Sequence, residues 1–179
     1  MNNIKRKMNI LKNRKIKKGL ENLFDWVKGA ELVELKSCNV KEDPVRPELD
    51  IVFRRSYGRK IFGVKYKKEI FAIMCFGFTE QVPTTVKELD LMTRDAYLKS
   101  AQRDQNIGKI AIAYTVWSKK KGGGKLIVKE VFKMIKKSNH LNRLITLSPL
   151  TDMAKNFHLH NGAIQLQVNE ETQNFEYKI

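Results

Sequence analysis

The sequence predicts an α+β domain. Paired β-rich runs, Ile61 to Tyr66 with Ile70 to Phe78 and Ala163 to Val168 with Asn174 to Ile179, are separated by short polar breaks and read as hairpins. Elsewhere apolar residues return at three- or four-residue spacing, the period of an amphipathic helix. Near the middle, Lys109 to Lys137 (KIAIAYTVWSKKKGGGKLIVKEVFKMIKK) reads as a strand, a glycine turn and a helix in one piece.

In chain order, Ile10, Ile16, Leu20, Leu23, Phe24 and Val27 mark a basic amphipathic N-terminal helix stopped by Gly29. Its apolar face is expected to pack on the domain rather than on a membrane surface. Residues 1–30 are thus read as a basic arm and helix, and 31–179 as a single domain. Glu31 to Cys38 alternates and suits a first strand. After Asp43, Pro44 and Pro47 break the chain, Pro47 is expected at the first position of a brief helix reaching Tyr57 through Leu49, Val52 and Phe53. The first hairpin follows, turning at Lys67 to Glu69. Thr84 to Arg103 carries Val86, Leu89, Met92, Ala96 and Tyr97 at helical spacing and runs into the polar turn Asp104 to Gly108.

Beyond the central unit, Leu144 to Leu147 is a short strand halted by Ser148 and Pro149. Thr151 is a suitable N-cap for a helix with Met153, Ala154, Phe157 and His158 along one face and Asn161-Gly162 at its end. A strand, helix and strand in succession form a right-handed crossover with parallel strands, which places the glycine turn at their carboxyl ends.

A chain of 179 residues with 42% hydrophobic content buries a real core. Its 35 Lys+Arg against 19 Asp+Glu give +16, and Met1 to Lys18 holds eight of the basic residues with no acid, so 16 − 8 = +8 remains for the rest. Half of the excess therefore belongs to a tail, which suits docking on an acidic protein or nucleic acid, or simple solvation, more than chemistry. Cys38 and Cys75 are too few and too far apart in sequence for a disulfide framework or a zinc cluster. No secretory apolar region follows the basic start, and the longest apolar run, Ile70 to Phe78, is far short of a membrane span. A reducing, cytoplasmic setting is expected; the size and lysine-rich composition resemble those of phage and mobile-element proteins.

The glycine turn is the informative stretch. A helix N-terminus leaves its first amides unpaired, Gly122, Gly123 and Gly124 let a ligand approach the backbone, and Lys119, Lys120, Lys121 and Lys125 surround it. That is an anion site, suited to a phosphate or pyrophosphate. It is not a Walker A loop, because Lys119 and Leu126 stand where that loop needs glycine and a hydroxyl, and it is not a dinucleotide fingerprint, because its glycines are bunched and lie late in the chain.

Lys119, Gly122 and Gly124 instead occupy the positions of the Q/R-x-x-G-x-G/A loop, and the stretch resembles the pyrophosphate loop of GNAT acyl-CoA N-acyltransferases, with Lys for Gln or Arg. Ala154, His158, Gly162 and Ala163 match the A-x-x-x-Y-x-x-x-G-F spacing of the same family's final helix and following strand. Together the two motifs span Lys109 to Ile179, some two-fifths of the chain.

The resemblance implies a mixed, mostly antiparallel twisted sheet flanked by helices, splayed between the strands at Ile110 to Val116 and Leu144 to Leu147. It implies acyl-CoA, most simply acetyl-CoA, as cofactor: pantetheine along Tyr114, Thr115 and Val116, the pyrophosphate on Lys119 to Lys125, and Asn156 as a further contact. It implies an amine acceptor. His158 stands where the family commonly has the tyrosine that protonates the departing thiolate, work that an imidazole of near-neutral pKa can do. Glu80 and Ser148 are the candidate general bases. No metal site is expected, since His160 points away from His158 on a helix and His140 has no partner at ligand spacing. Two departures fall where the family builds its acceptor pocket: a single short helix at Pro47 to Tyr57, and a long connection from Thr79 to Gly108. Thr151 also replaces a frequent Asn. The alternative is a GNAT-like fold without catalysis, binding nucleic acid or serving assembly through its basic arm.

Overall fold

The structure, a computed structural model, describes residues 26–103 and 108–178. The expected arm and most of its helix lie outside the described residues, as does most of the polar turn after Arg103; of that helix only residues 26–29 are seen, and they are helical.

The first strand, β1 (Glu31–Glu34), is shorter than the alternation suggested. Leu35 makes the last bond to the neighbouring strand, its N–H donating to Ile61 at 2.8 Å, and its side chain fills the space left open by Gly63. The chain then turns away through a 3-10 turn at Val40–Glu42. The brief helix α1 (Ile51–Arg55) starts at Asp50 and not at Pro47. The Asp50 carboxylate accepts the Phe53 N–H at 2.7 Å, and Pro47 stays inside the turn closed by Leu49 N–H on Arg46 O.

Strands β2 (Lys60–Tyr66) and β3 (Glu69–Thr79) form the expected hairpin, with Lys67 at φ +56° in its tight turn. Helix α2 (Val86–Arg103) begins with the first residue of its apolar pattern, two residues after the expected start at Thr84. Thr84 donates its N–H and hydroxyl to Glu88, and the Thr85 hydroxyl accepts the Glu88 N–H, a reciprocal cap of two threonines and one glutamate. Strand β4 (Ile110–Ser118), helix α3 (Gly123–Lys136) and strand β5 (Arg143–Thr146) are the strand–turn–helix–strand unit. Ser148–Pro149, expected only to stop β5, adds a two-residue strand β6. Helix α4 (Asp152–His160) is capped by the Thr151 hydroxyl, and β7 (Ile164–Val168) and β8 (Thr172–Tyr177) form the terminal hairpin.

The eight strands make one sheet in the order β1-β2-β3-β4-β5-β8-β6, with β7 also paired to β8. Every pair is antiparallel except β4 with β5. On one face, Leu126, Ile127, Val131 and Ile135 of α3 pack against Phe76, Ala111, Ala113 and Leu144. On the other, Ile110, Ile112, Tyr114 and Trp117 meet Leu89 of α2 and Phe53 of α1. Each fully buried aliphatic side chain contributes roughly 1.5–3 kcal/mol, so the sheet is held from both sides and its edges fix where the site opens.

Candidate acyl-CoA groove

Pairing of β4 with β5 runs only from Ile110–Arg143 to Ala113–Thr146. The last link is Leu147 N–H on Ala113 O at 2.9 Å, and beyond it the strands part. Across the other edge of β4, Cys75 pairs with Thr115 and Phe76 with Ala113, so Tyr114 is the extra residue of a β-bulge. The bulge releases the Tyr114 carbonyl from the ladder. Arg46, reaching in from the turn before α1, takes it: Nε donates to Tyr114 O at 2.9 Å and Nη2 to Leu147 O at 3.1 Å. One guanidinium thus bridges the two arms of the fork.

Arg46 is steadied by a buried network. Asp43 accepts the Arg46 N–H at 3.2 Å, the Thr115 hydroxyl at 2.8 and 2.9 Å, and Arg54 Nη2 at 2.8 Å, and Arg54 also donates to Arg46 O. Asp43 and Arg54 side chains are both wholly inaccessible, so each charge depends on the other.

An apolar cavity of about 440 Å³ opens in the fork. Its walls are Ala113 to Ser118 of β4, Leu144, Thr146 and Ser148 on the β5 side, Pro44 and Val45 of the entering turn, and Met153, Ala154, Phe157 and His158 of α4. Through Ser118, Gly124 and Phe157 it continues into an open recess of about 630 Å³ lined by Lys119, Lys120, Lys121, Gly122, Lys125, His160 and Asn161. The two form one groove, polar and cationic at one end and apolar at the other.

At the cationic end, Gly122 adopts φ +86°, a conformation that favours glycine, and caps α3 without a side-chain bond. The amides of Lys121, Gly122, Gly124 and Lys125 take no backbone partner among the described residues. The three glycines differ in role. Gly122 is exposed; Gly124 borders the groove, with the Phe157 ring 3.0 Å from where its Cβ would lie; Gly123 is buried, and a Cβ there would meet Phe71 O at 3.2 Å. The expectation that Gly123 serves ligand approach is therefore corrected: it lets α3 close onto β3. Lys119 pairs with Glu42, and Lys120 lies 4.1 Å over the Phe71 ring, while Lys121 and Lys125 are exposed.

At the apolar end, His158 Nε2 is 2.9 Å from Ser148 Oγ and its Nδ1 is 2.9 Å from the Tyr177 hydroxyl; which nitrogen carries the proton depends on the tautomer. The ring stacks on Phe175. Burial pulls its pKa from 6.5 down to about 4, so the expected near-neutral value is corrected: the imidazole is uncharged at pH 7. Ser148 is 3.0 Å from the Thr146 hydroxyl. Tyr114 and Val116 line the cavity with Thr115, but the Thr115 hydroxyl is committed to Asp43, and the Tyr114 ring turns to Phe53 with its phenol pKa raised by burial.

Two candidates are not brought to the groove. Glu80 is exposed just past the end of β3, where Thr79 pairs with Ile110 at the start of β4, away from the fork. The Asn156 side chain is exposed outside the lining, and its carbonyl is 2.7 Å from His160 Nδ1. Sequence reading missed Arg46, Asp43 and Asn161. Buried Asp and Arg in a proline-broken turn carry no periodic signal, and Asn161 reads as a helix stop. No group of His, Cys, Asp and Glu able to hold a metal occurs among the described residues, and no described helix is long and apolar enough to cross a membrane.

No protein-family model and no curated protein matches the chain. Solved structures do. An acetyltransferase from Bacillus subtilis in complex with CoA superposes with a TM-score of 0.55 at 11% identity, over 84% of this chain and 97% of that one. The GNAT domain of PAT from S. lividans gives 0.54 at 9% identity, over 84% and 90%. A malonyl-CoA decarboxylase from Cupriavidus metallidurans gives 0.49 at 21% identity; this chain covers 76% of itself there but spans only 36% of that protein. The superpositions above 0.5, over most of both chains, show that this chain has the fold of the GNAT acetyltransferases.

Proposed function

We propose that the chain is an acyl-CoA-dependent N-acyltransferase, with acetyl-CoA as the simplest donor and an amine as acceptor. The observation that carries this reading is the single groove running from the unpartnered amides and lysines of the α3 start into the apolar fork between β4 and β5. Its chemistry fits a diphosphate at one end and an apolar arm at the other. The residues that would hold the diphosphate are Lys119 to Lys125, and those beside pantetheine are Tyr114, Thr115 and Val116. When bound, the thioester supplies an activated acyl group.

The chain's own residues then have separable tasks. Arg46 holds the fork open by occupying two carbonyls. Ala113, Leu144 and Phe157 give the apolar end its walls. His158, uncharged, accepts from Tyr177 at one nitrogen and donates to Ser148 from the other, which leaves the Ser148 hydrogen free to turn from Thr146 toward a thiolate in the groove. Ser148 would thereby stabilise the departing sulfur by a hydrogen bond, the proton that completes the thiol coming from the acceptor nitrogen as the amide forms, and His158 and Tyr177 orient Ser148. The two free cysteines suit a reducing, cytoplasmic compartment.

The second reading, a GNAT-like fold without catalysis that binds nucleic acid or an acidic protein, is favoured by the charge of +16. Calorimetric titration with acetyl-CoA and CoA separates the two. Micromolar affinity together with thiol release in the presence of an amine panel supports the enzyme. No binding of either, with salt-sensitive binding to DNA or RNA, supports the second reading.

A further inference from the structure

Helix α3 carries a row of lysines most of which the groove does not use. Lys125, Lys129, Lys133 and Lys137 follow one another at four-residue steps along the helix and its C-cap, Lys136 lies among them, and all five are exposed. Residues four apart share a helix face, so the five cations make one ladder. At about 1.5 Å per residue it is about 18 Å long, with a rung about every 6 Å. On the opposite face Ile127, Val131 and Ile135 are wholly buried against the sheet, which holds the ladder in place.

Its charge is left unbalanced. Glu130, the one acid of α3, pairs with Lys133 at 2.8 Å, and the other four lysines make no ion pair among the described residues. Lys136 and Lys137 suit the negative end of the helix dipole, but Lys125 and Lys129 stand in its first half. Like charges four residues apart repel, so the arrangement gains from an anion supplied from outside. A regular row matches a regular polymer better than the scattered carboxylates of an acidic protein. None of the exposed large hydrophobic side chains is on α3, so the face has nothing to insert into a lipid surface and no exposed ring on which unpaired bases could stack. Lysine holds phosphate as a point charge, and phosphate contacts position a protein without reading sequence.

We propose that the outer face of α3 is a docking site for the phosphate backbone of double-stranded nucleic acid, bound without regard to sequence. A ladder of about 18 Å runs beside about five base pairs of one strand, at about 3.4 Å each. It begins at Lys125, which also lines the cationic recess, so the duplex lies beside the mouth of the groove. The proposal stands apart from the acyltransferase reading: a chain that binds duplex but no CoA loses that reading alone, and a chain that binds CoA but no duplex loses only this one.

The test measures binding of the full chain to two DNA duplexes of unrelated sequence and to an RNA duplex, by fluorescence anisotropy from about 50 to 200 mM salt. Two variants lower the charge equally: K129Q/K133Q/K136Q/K137Q removes the rungs outside the recess, and K41Q/K68Q/K87Q/K99Q removes four exposed lysines elsewhere. The first should weaken duplex binding at least tenfold at the lowest salt and reduce the slope of log K against log salt by roughly 3, with circular dichroism and CoA affinity unchanged. The second should shift duplex binding less than threefold, and the two DNA sequences should agree within twofold; the stronger of DNA and RNA identifies the duplex. Equal losses in the two variants, or no loss in the first, would assign the binding to net charge or to the basic arm and overturn the proposal. Phosphatidylserine vesicles or polyglutamate bound as tightly as the duplex, or no duplex binding by the unaltered chain, would overturn it as well.

Discussion

Ser148 Oγ stands 2.9 Å from His158 Nε2, a hydroxyl just past the end of β5 meeting a ring from α4 inside the fork. Both residues are buried, so the bond is made in a dry setting where it directs a proton rather than competing with water. Ser148→Ala should lower turnover by about 100-fold while leaving the calorimetric affinity for CoA within twofold. Turnover unchanged in that variant would remove Ser148 from the reaction.

The buried imidazole makes stability depend on pH. His158 has its folded pKa lowered from 6.5 to about 4, so the unfolded chain binds the extra proton first as pH falls. Its contribution is whole above pH 6.5 and is lost progressively between 6.5 and 4, by about 3 kcal/mol at most. Urea unfolding across that window should show the loss, and His158→Gln should flatten it; an equal slope in both chains would contradict the assignment.

The glycines of the turn should separate by role. Gly123→Ala drives a Cβ toward Phe71 O and should lower the melting temperature by several degrees, a cost of about 1–3 kcal/mol. Gly124→Val faces the Phe157 ring and should instead weaken CoA binding at least tenfold with little change in melting. If Gly124→Val binds CoA normally, the groove does not take its ligand past α3.

Asp43 ties together Arg54, Arg46 and Thr115 without solvent access. Asp43→Ala leaves a buried guanidinium uncompensated and should destabilise the fold by about 3–5 kcal/mol, read by chemical denaturation. A smaller effect, under about 1 kcal/mol, would mean that water enters the network.

Lys121 and Lys125 are exposed at the mouth of the cationic recess. Reversing both to Glu should weaken CoA binding by about tenfold at low salt and by much less near 1 M salt, where the screening length is about 3 Å. Loss independent of salt would point to a folding defect, and circular dichroism would show it.

Most of the architecture was legible in the sequence because hairpins and amphipathic helices repeat with fixed periods. The Lys67–Lys68 turn, the run of α3 and the Thr151 cap all follow from local preference. The site was legible where a local pattern carries it, as in the glycine turn and the Ala154–His158 face. What failed depended on contacts between distant segments. Pro47 was a plausible helix start, but the Asp50 carboxylate reached the Phe53 amide first. Glu80 and Asn156 had suitable chemistry and the wrong direction. Arg46 became visible only once the turn carrying it was seen to cross the fork.

The extra residue at Tyr114 also sets the reading frame of β4. Ala111 and Ala113 face α3 before it and Val116 does so after it, while Ile110, Ile112 and Tyr114, then Trp117, face the opposite core. Odd and even positions exchange roles at that point. Deleting Tyr114 would restore an unbroken ladder to β3 with Val116 and Trp117 still opposite Met74 and Ile73, but it would take away the carbonyl that Arg46 Nε holds, so a shorter and more regular strand would leave one arm of the fork with nothing to grip.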